Sequence, residues 1–202
     1  NPMFPKQDVA NHALSLNQKV YLKNSKIEGD FGYTLNDRKE LEAPDEIALS
    51  MKLQTASYNV KYFLPKFNRL EAIVGIQGID QTNTNFGEEL LIPDANVKDF
   101  GTFLTANYAW KSNVLQAGIR YDKRKINTQT HGIIGEEGYF EAIDKQFDSF
   151  NASVGYKTDL SDNINSRINI ASGFRAPNLS ELTSNGVHEG SNRYEIGDSN
   201  LK

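Results

Sequence analysis

Apolar and polar residues alternate with period two through most of the chain, and the alternation predicts eight β-strands. The first, 12–22, sets His12, Leu14, Leu16, Val20 and Leu22 on one side, where His12 reads as structural. The second, 26–37, opposes Ile27, Phe31, Tyr33 and Leu35 to Glu28, Asp30 and Thr34. The third, 46–64, begins in the phase Ile47, Leu49, Met51, Leu53 and changes to Tyr58, Val60, Tyr62, Leu64. That slip predicts a bulge, or two strands in place of one. The fourth, 69–82, carries Leu70, Ala72, Val74 and Ile76. The fifth, 98–111, is the clearest, with Phe100, Leu104, Ala106, Tyr108 and Trp110 against Gly101, Thr105, Asn107 and Lys111. The sixth, 113–127, opposes Leu115, Ala117, Ile119 and Tyr121 to Gln116, Gly118, Arg120, Asp122 and Arg124. The seventh, 147–160, and the eighth, 163–175, repeat the pattern with Phe150, Ala152, Val154 and Tyr156, then Ile164, Ile168, Ile170 and Phe174.

Most of these runs exceed the roughly 5–6 residues of globular strands and reach the roughly 9–11 of a membrane strand. Their connections alternate: short at 23–25, 65–68, 111–113 and 161–162; long at 37–45, 83–97, 128–146 and from 176 onward. Short turns at one end and long loops at the other are the topology of an up-and-down membrane barrel. A Greek-key sandwich has no reason to keep that order. The expected fold is therefore all-β, an antiparallel meander of about eight strands, in one structural unit over 1–202.

The polar faces strengthen the expectation. Arg120, Asp122, Arg124, Arg167 and Arg175 recur where a soluble sandwich would have to bury them, at high cost. A wide barrel instead places one face in lipid and the other on a hydrated or plugged lumen. Tyr58, Tyr62, Tyr108, Trp110 and Tyr156 fall near the short-turn ends, as an interfacial girdle would, although aromatics are enriched in strands generally.

Composition narrows the classes. The 202 residues are 38% hydrophobic with no apolar run near the roughly 18–20 that a membrane helix needs, a test that β-strands escape. A net charge of -4 gives no support for a nucleic-acid partner. There is no cysteine, hence no disulfide, thiolate metal site or cysteine nucleophile. Residues 1–20 lack a basic start followed by an apolar core, so an exported protein of this sequence would be processed or internal to a longer chain.

Catalytic patterns are missing. His12, His131 and His188 are scattered, and no HExxH, GxSxG or P-loop spacing occurs; an enzyme is not expected, and neither is a cofactor. Glu88-Glu89 and Glu136-Glu137 lie in long loops, as cation ligands or as solvated charges. His131 and His188, the latter followed by Glu189, also fall on the long-loop side. An imidazole beside a carboxylate suits a borderline metal or haem iron, and an exposed loop histidine needs no ligand. Arg175 either contacts an anionic ligand at the barrel mouth or clamps the loop base through Glu181 or Glu195. Asn185-Gly186 reads as a tight turn.

The C-terminal stretch carries a more specific signal. GFRAPNLSEL (173–182), SNGVH (184–188) and RYEIGDSNLK (193–202) stand in the order and close spacing of the late-barrel segment of TonB-dependent outer-membrane receptors. The chain resembles that family there, and at strand level in GIQGIDQTNTNFGEELLIPD (75–94), LQAGIRYDKR (115–124) and 155–174. The resemblance implies a barrel of about 22 strands around an N-terminal plug, with this chain a barrel fragment lacking the plug and the terminal strands. It implies a receptor in the outer membrane of a Gram-negative bacterium, in contact with outer-membrane lipid and driven by TonB through the absent plug. The cargo would be a metal complex, most often a ferric siderophore, with haem or zinc as variants. The candidate ligand contacts are His188, Glu189, Asn185, Arg175 and His131, with His188 the candidate metal contact. A soluble secreted β-rich binding module and a β-rich hydrolase are the competing classes.

Overall fold

The computed structural model describes residues 5–87, 89–134, 138–188 and 193–201, the side chains of 186–188 and 193–195 excepted. Eight strands form one antiparallel meander: β1 (Lys6–Tyr21), β2 (Lys26–Ala43), β3 (Glu46–Phe63), β4 (Leu70–Asn85), β5 (Ala95–Trp110), β6 (Asn113–Thr128), β7 (Asp144–Ser161) and β8 (Ile164–Ala171). Each strand pairs with its sequence neighbour, and β1 and β8 remain as edges of an open sheet. A helical turn, α1 (Leu179–Thr183), follows, then a small hairpin of β9 (Asn185–His188) and β10 (Arg193–Ile196).

The strands run longer than their apolar alternation. β1 begins at Lys6 because residues 6–11, mostly polar, continue the ladder against Asn36–Leu41 of β2. The stretch 37–45, expected as a long loop, is mostly strand, and β2 turns into β3 at Pro44-Asp45. β8 is shorter than expected and ends at Ala171. Ser172 still donates to the Ala152 carbonyl at 2.9 Å, and beyond it the chain bends across the inner face. The other ends keep the expected contrast, with tight turns at 22–25, 64–69, 111–112 and 162–163. Lys111 adopts a positive φ of 50° in the β5–β6 turn.

The phase change in β3 is not a bulge. Pairing with β4 runs unbroken from Met51 to Phe63, and the irregularity in the β2–β3 ladder lies at Glu40, Leu41 and Ala43. Tyr58, Val60 and Tyr62 therefore face outward, while Leu49, Met51 and Leu53 face inward near the loops, where Leu49 and Met51 are buried. A continuous strand has moved its apolar face from one side to the other because its upper part lies under loops.

The register fixes two faces. The outer one carries an exposed apolar belt, including Leu16, Phe31, Ile76, Leu104, Ile119, Val154 and Ile168. Above it, the first charged outward residues are Asp37 and Lys52 on β2 and β3, Asp80 and Lys98 on β4 and β5, and Lys123 and Asp148 on β6 and β7. Lys52 lies level with Thr84, four residues beyond Asp80, and Lys98 lies level with Lys125, two beyond Lys123. The boundary thus descends six residues over five interstrand steps, about 20 Å against about 24 Å, a slope of roughly 40°. That is the strand tilt of a closed barrel. From Phe100 to Trp110 the belt covers about 33 Å of strand, or about 25 Å of height once tilted.

Aromatic residues close the belt below. Trp110 lies between Tyr108 and Tyr156, with ring centroids 5.6 and 6.1 Å away. Tyr62 is near the same level, whereas Tyr58 lies mid-strand with its ring over Gly78, where a Cβ would meet the Tyr58 hydroxyl at 2.7 Å.

Candidate functional site

The inner face is largely polar in mid-height, with Phe103 and Ile79 among its polar groups, and its buried apolar cluster lies near the long loops. There Val97, Ile126, Ile143, Phe147 and Leu182 form a buried cluster flanked by Ala176 and Leu179. Three of these come from β5, β6 and β7, and Leu182 comes from α1, so the segment after β8 folds over the lumen wall. Ile126 is fully buried beneath it.

Local chemistry explains the path. Pro177 cannot donate to a ladder, which favours exit from the sheet. Asn178 then caps α1, its side chain accepting from the Glu181 N–H at 2.8 Å, while the Glu181 carboxylate accepts from the Asn178 N–H at 2.9 Å. This reciprocal box satisfies two donors that a helix start leaves open. The same carboxylate takes both guanidinium nitrogens of Arg175 at 2.7 and 2.8 Å. Arg175, with the Asn178 N–H adding to it, holds the Glu181 carboxyl down at about 2, and Glu181 in turn raises Arg175. Of the two clamp partners expected for Arg175, the structure selects Glu181. At the far end of α1, Gly197 donates to the Ser184 carbonyl and Asp198 to the Glu181 carbonyl. A Cβ on Gly197 would lie 2.6 Å from the Thr183 nitrogen, so this close approach requires glycine.

Below this strap runs a wall of ion pairs. Arg124 binds Asp99 with two hydrogen bonds, at 2.7 and 2.5 Å, and donates to the Pro177 carbonyl at 3.4 Å, joining wall to strap. Arg120 pairs with Asp122 through Nε at 2.6 Å and through Nη2. Its guanidinium lies 5.9 Å from the Phe103 ring centroid, and the Gln77 amide oxygen, oriented inward, accepts from it at 2.7 Å. Gly101 makes the space, since a Cβ there would lie 2.5 Å from Arg120 and 2.6 Å from Asp122. These groups and Asn17, Asp30 and Asn59 line an open cavity of about 640 Å³ on the concave side. Such a surface can hydrogen-bond a polar occupant over a wide area while Arg120 and Arg124 stay paired with Asp122 and Asp99.

The candidate loop residues separate into two places. His131 bridges Phe140 through backbone bonds of 3.0 and 2.9 Å, and the Asn185 side chain donates to the adjacent Tyr139 carbonyl at 3.0 Å. His131 also lines a small polar cavity of about 140 Å³ with Asn85, Asp94 and Gln129. Asn185 and His131 thus belong to one loop cluster, while Arg175 is engaged in the strap. Asn185-Gly186 is no tight turn; both residues pair in β9 with Ile196 and Glu195. The side chain of His188, and Glu189 altogether, lie outside the described residues, as do Glu88, Glu136 and Glu137. Among the described residues no group of three or more His, Asp or Glu could hold a metal ion.

Sequence reasoning missed Asp99, Gln77, Gly101 and Leu182. Each lies on the polar phase of a strand or in a short turn of helix, and its partner is identifiable only from strand register or from the fold-back of the strap.

A meander of long tilted strands, apolar outside and ion-paired inside, is the wall of a large β-barrel. The chain belongs to the TonB-dependent receptor-like β-barrel family, whose model matches residues 8–202. Its structure is similar to that of the ferric-catecholate import receptor Fiu from E. coli K12 in its open form, with a TM-score of 0.54 at 13% identity. The match covers 82% of this chain and 35% of Fiu. No curated protein sequence matches the chain. Members of the family are transporters rather than enzymes.

Proposed function

We propose that this chain forms a sector of the wall of an outer-membrane receptor for a scarce nutrient, with a ferric siderophore or other iron complex as cargo. The observation that carries the reading is the outer belt, about 25 Å high and bounded by a charge line sloping at roughly 40°. A water-soluble binding module has no use for such a belt, because exposed apolar patches of that extent drive association. The open sheet supports a larger closed barrel, completed by strands beyond the edges of β1 and β8, with a plug on which TonB would act. The polar inner wall would face that plug and the passing cargo. Similarity to a ferric-catecholate receptor favours iron over zinc and haem. His188, Glu189, Asn185 and His131 are the proposed cargo contacts on the loop side, and Arg175 shapes the mouth through Glu181.

Deletion of the whole receptor gene, followed by growth on single ferric complexes, haem or limiting zinc, tests the cargo. Loss of growth on one ferric complex, restored by the intact gene, supports the reading. Normal growth on every iron source removes the iron assignment. His188→Ala in the intact receptor should weaken uptake, and unchanged affinity would remove His188 from the site.

A further inference from the structure

We propose that residues 172–176 are a zipper segment with two seats. One is the strap seat across the lumen wall, as in the structure; in the other, the wall seat, the segment extends β8 along the open edge of β7. The proposal is independent of which cargo passes. β7 has 18 residues and β8 only eight, and the ladder between them ends at Ser153 and Ala171. Ala152 still bonds across to Ser172, so Phe150, Asp148 and Gln146, in the same phase, turn their main-chain groups to that side as well. Among the described residues no group bonds those N–H and carbonyl groups. The comparable overhang of β3 above β4 is covered by its own loop, where Phe86 and Gly87 donate to the Ser50 carbonyl and Glu89 to the Ala48 carbonyl. An uncovered row of backbone groups is a template for a further strand.

The segment that leaves β8 matches this edge. Its first rung is half made: the Ser172 N–H donates to the Ala152 carbonyl, and the Ser172 hydroxyl, in place of its carbonyl, accepts from the Ala152 N–H at 2.9 Å. Continuing the register sets Gly173 opposite Asn151, Phe174 opposite Phe150, Arg175 opposite Ser149 and Ala176 opposite Asp148. Phe174 would then join Phe150 on the outer belt as a cross-strand aromatic pair, and both rings are exposed in the strap seat. Asn178, as the N-cap of α1, bounds the segment. In the strap seat Phe174, Arg175 and Ala176 instead line the lumen cavity of about 640 Å³. The Arg175–Glu181 pair, the bond from Arg124 to the Pro177 carbonyl and the packing of Ala176 on the buried cluster hold them there. In the wall seat Pro177 would lie two strand spacings, roughly 10 Å, from β6, out of reach of Arg124 while Asp99 binds it. The seats therefore exclude each other. Passage to the wall seat clears the cavity and closes the gap above β8, so the segment gates the lumen mouth.

The test is hydrogen exchange in the whole receptor, backed by cross-linking. In wild type the Asp148 amide should exchange fast while those of Glu181 and Gly197 stay protected. Protection at Asp148 equal to theirs would mean that another strand covers the edge, and overturns the proposal. Leu182→Ala loosens the strap and should slow exchange at Asp148 and Phe174, by about 10-fold for a wall seat occupied about 90% of the time. A strap that merely frays would leave both amides fast, which also overturns the proposal. Leu182→Ala/Phe174→Pro lacks the N–H that would bond the Phe150 carbonyl and should cancel the slowing at Asp148; persistent slowing counts against the zipper. A second pair of variants does not depend on Leu182. Ser149→Cys/Arg175→Cys, in a receptor otherwise free of cysteine, removes the clamp and sets two thiols on a non-hydrogen-bonded pair with Cα atoms about 4.5 Å apart, within disulfide reach. Mild oxidation should close this pair and leave Asn151→Cys/Arg175→Cys, which is out of register, open. No closure of the first pair, or equal closure of both, overturns the proposal.

Discussion

Leu182→Ala isolates what holds the strap on the lumen wall. Leu182 is 2% exposed and packs in the cluster with Val97, Ile126, Ile143 and Phe147. α1 has five residues, far short of the roughly 12–15 at which an isolated helix becomes even marginal. Its order therefore depends on that burial, the capping box and the Arg175 clamp. Truncating a buried leucine costs about 2–5 kcal/mol, transfer and cavity together. Taking about 3 kcal/mol, opening of the strap becomes favoured by on the order of 100-fold. Hydrogen exchange in the whole receptor reads this directly at the amides of Glu181, Ser184, Gly197 and Asp198, all bonded within the strap. Their exchange should accelerate by that factor while mid-strand amides of β6 keep their rates. Unchanged protection at the four amides would refute the reasoning, showing that the strap is held independently of its apolar anchor.

Other consequences follow from the same geometry. Gly197→Ala drives a Cβ against the backbone of α1 and should cost about 1–3 kcal/mol, read as faster exchange of the same amides. The Glu181 carboxyl is held at about 2, against an ordinary 4.5. Because the folded value is depressed, its contribution is fully present above the ordinary value and is lost as pH falls through about 2. Proton NMR of the Asn178 amide should follow that loss, and Glu181→Gln should abolish the dependence. Leu104→Arg, at the middle of the outer belt, should destabilise the inserted receptor by about 2–4 kcal/mol, whereas Asn96→Arg, beyond the charge line, should cost about 0–1 kcal/mol. Denaturant titration in lipid vesicles compares the two.

How far the sequence could be read depended on whether a feature is local. Strands β5 and β6 were legible because Phe100, Leu104 and Tyr108, then Leu115, Ile119 and Tyr121, keep one phase throughout. The phase change between Leu53 and Tyr58 suggested a bulge or a second strand where the ladder to β4 is unbroken, because Leu49 and Met51 are apolar on the inner face, a consequence of loops that only the fold brings over them. The 37–45 stretch looked like a loop because Asp37, Lys39 and Glu42 leave no apolar alternation once the strand rises above the belt. α1 was invisible to periodicity at five residues, although Asn178 and Glu181 three apart do spell a capping signal. The pairs Arg124–Asp99 and Gln77–Arg120 join different strands, so only the register could reveal them. At the candidate cargo site, the sequence placed Arg175 beside Glu181, but the link from Asn185 to the His131 loop needs the tertiary path.

The most direct test of the account is an accessibility scan along β5 in the whole receptor reconstituted in bilayers. This chain has no native cysteine, so single cysteines from Asn96 to Trp110 can each carry a spin label, provided the remainder of the receptor is made cysteine-free. The account predicts a period of two, with oxygen accessibility high at Phe100, Leu104 and Tyr108 and peaking near Leu104. Accessibility to a water-soluble relaxant should dominate at Asn96 and Lys98. Water accessibility on the even positions through Leu104, or the loss of period two, would contradict a membrane-spanning wall.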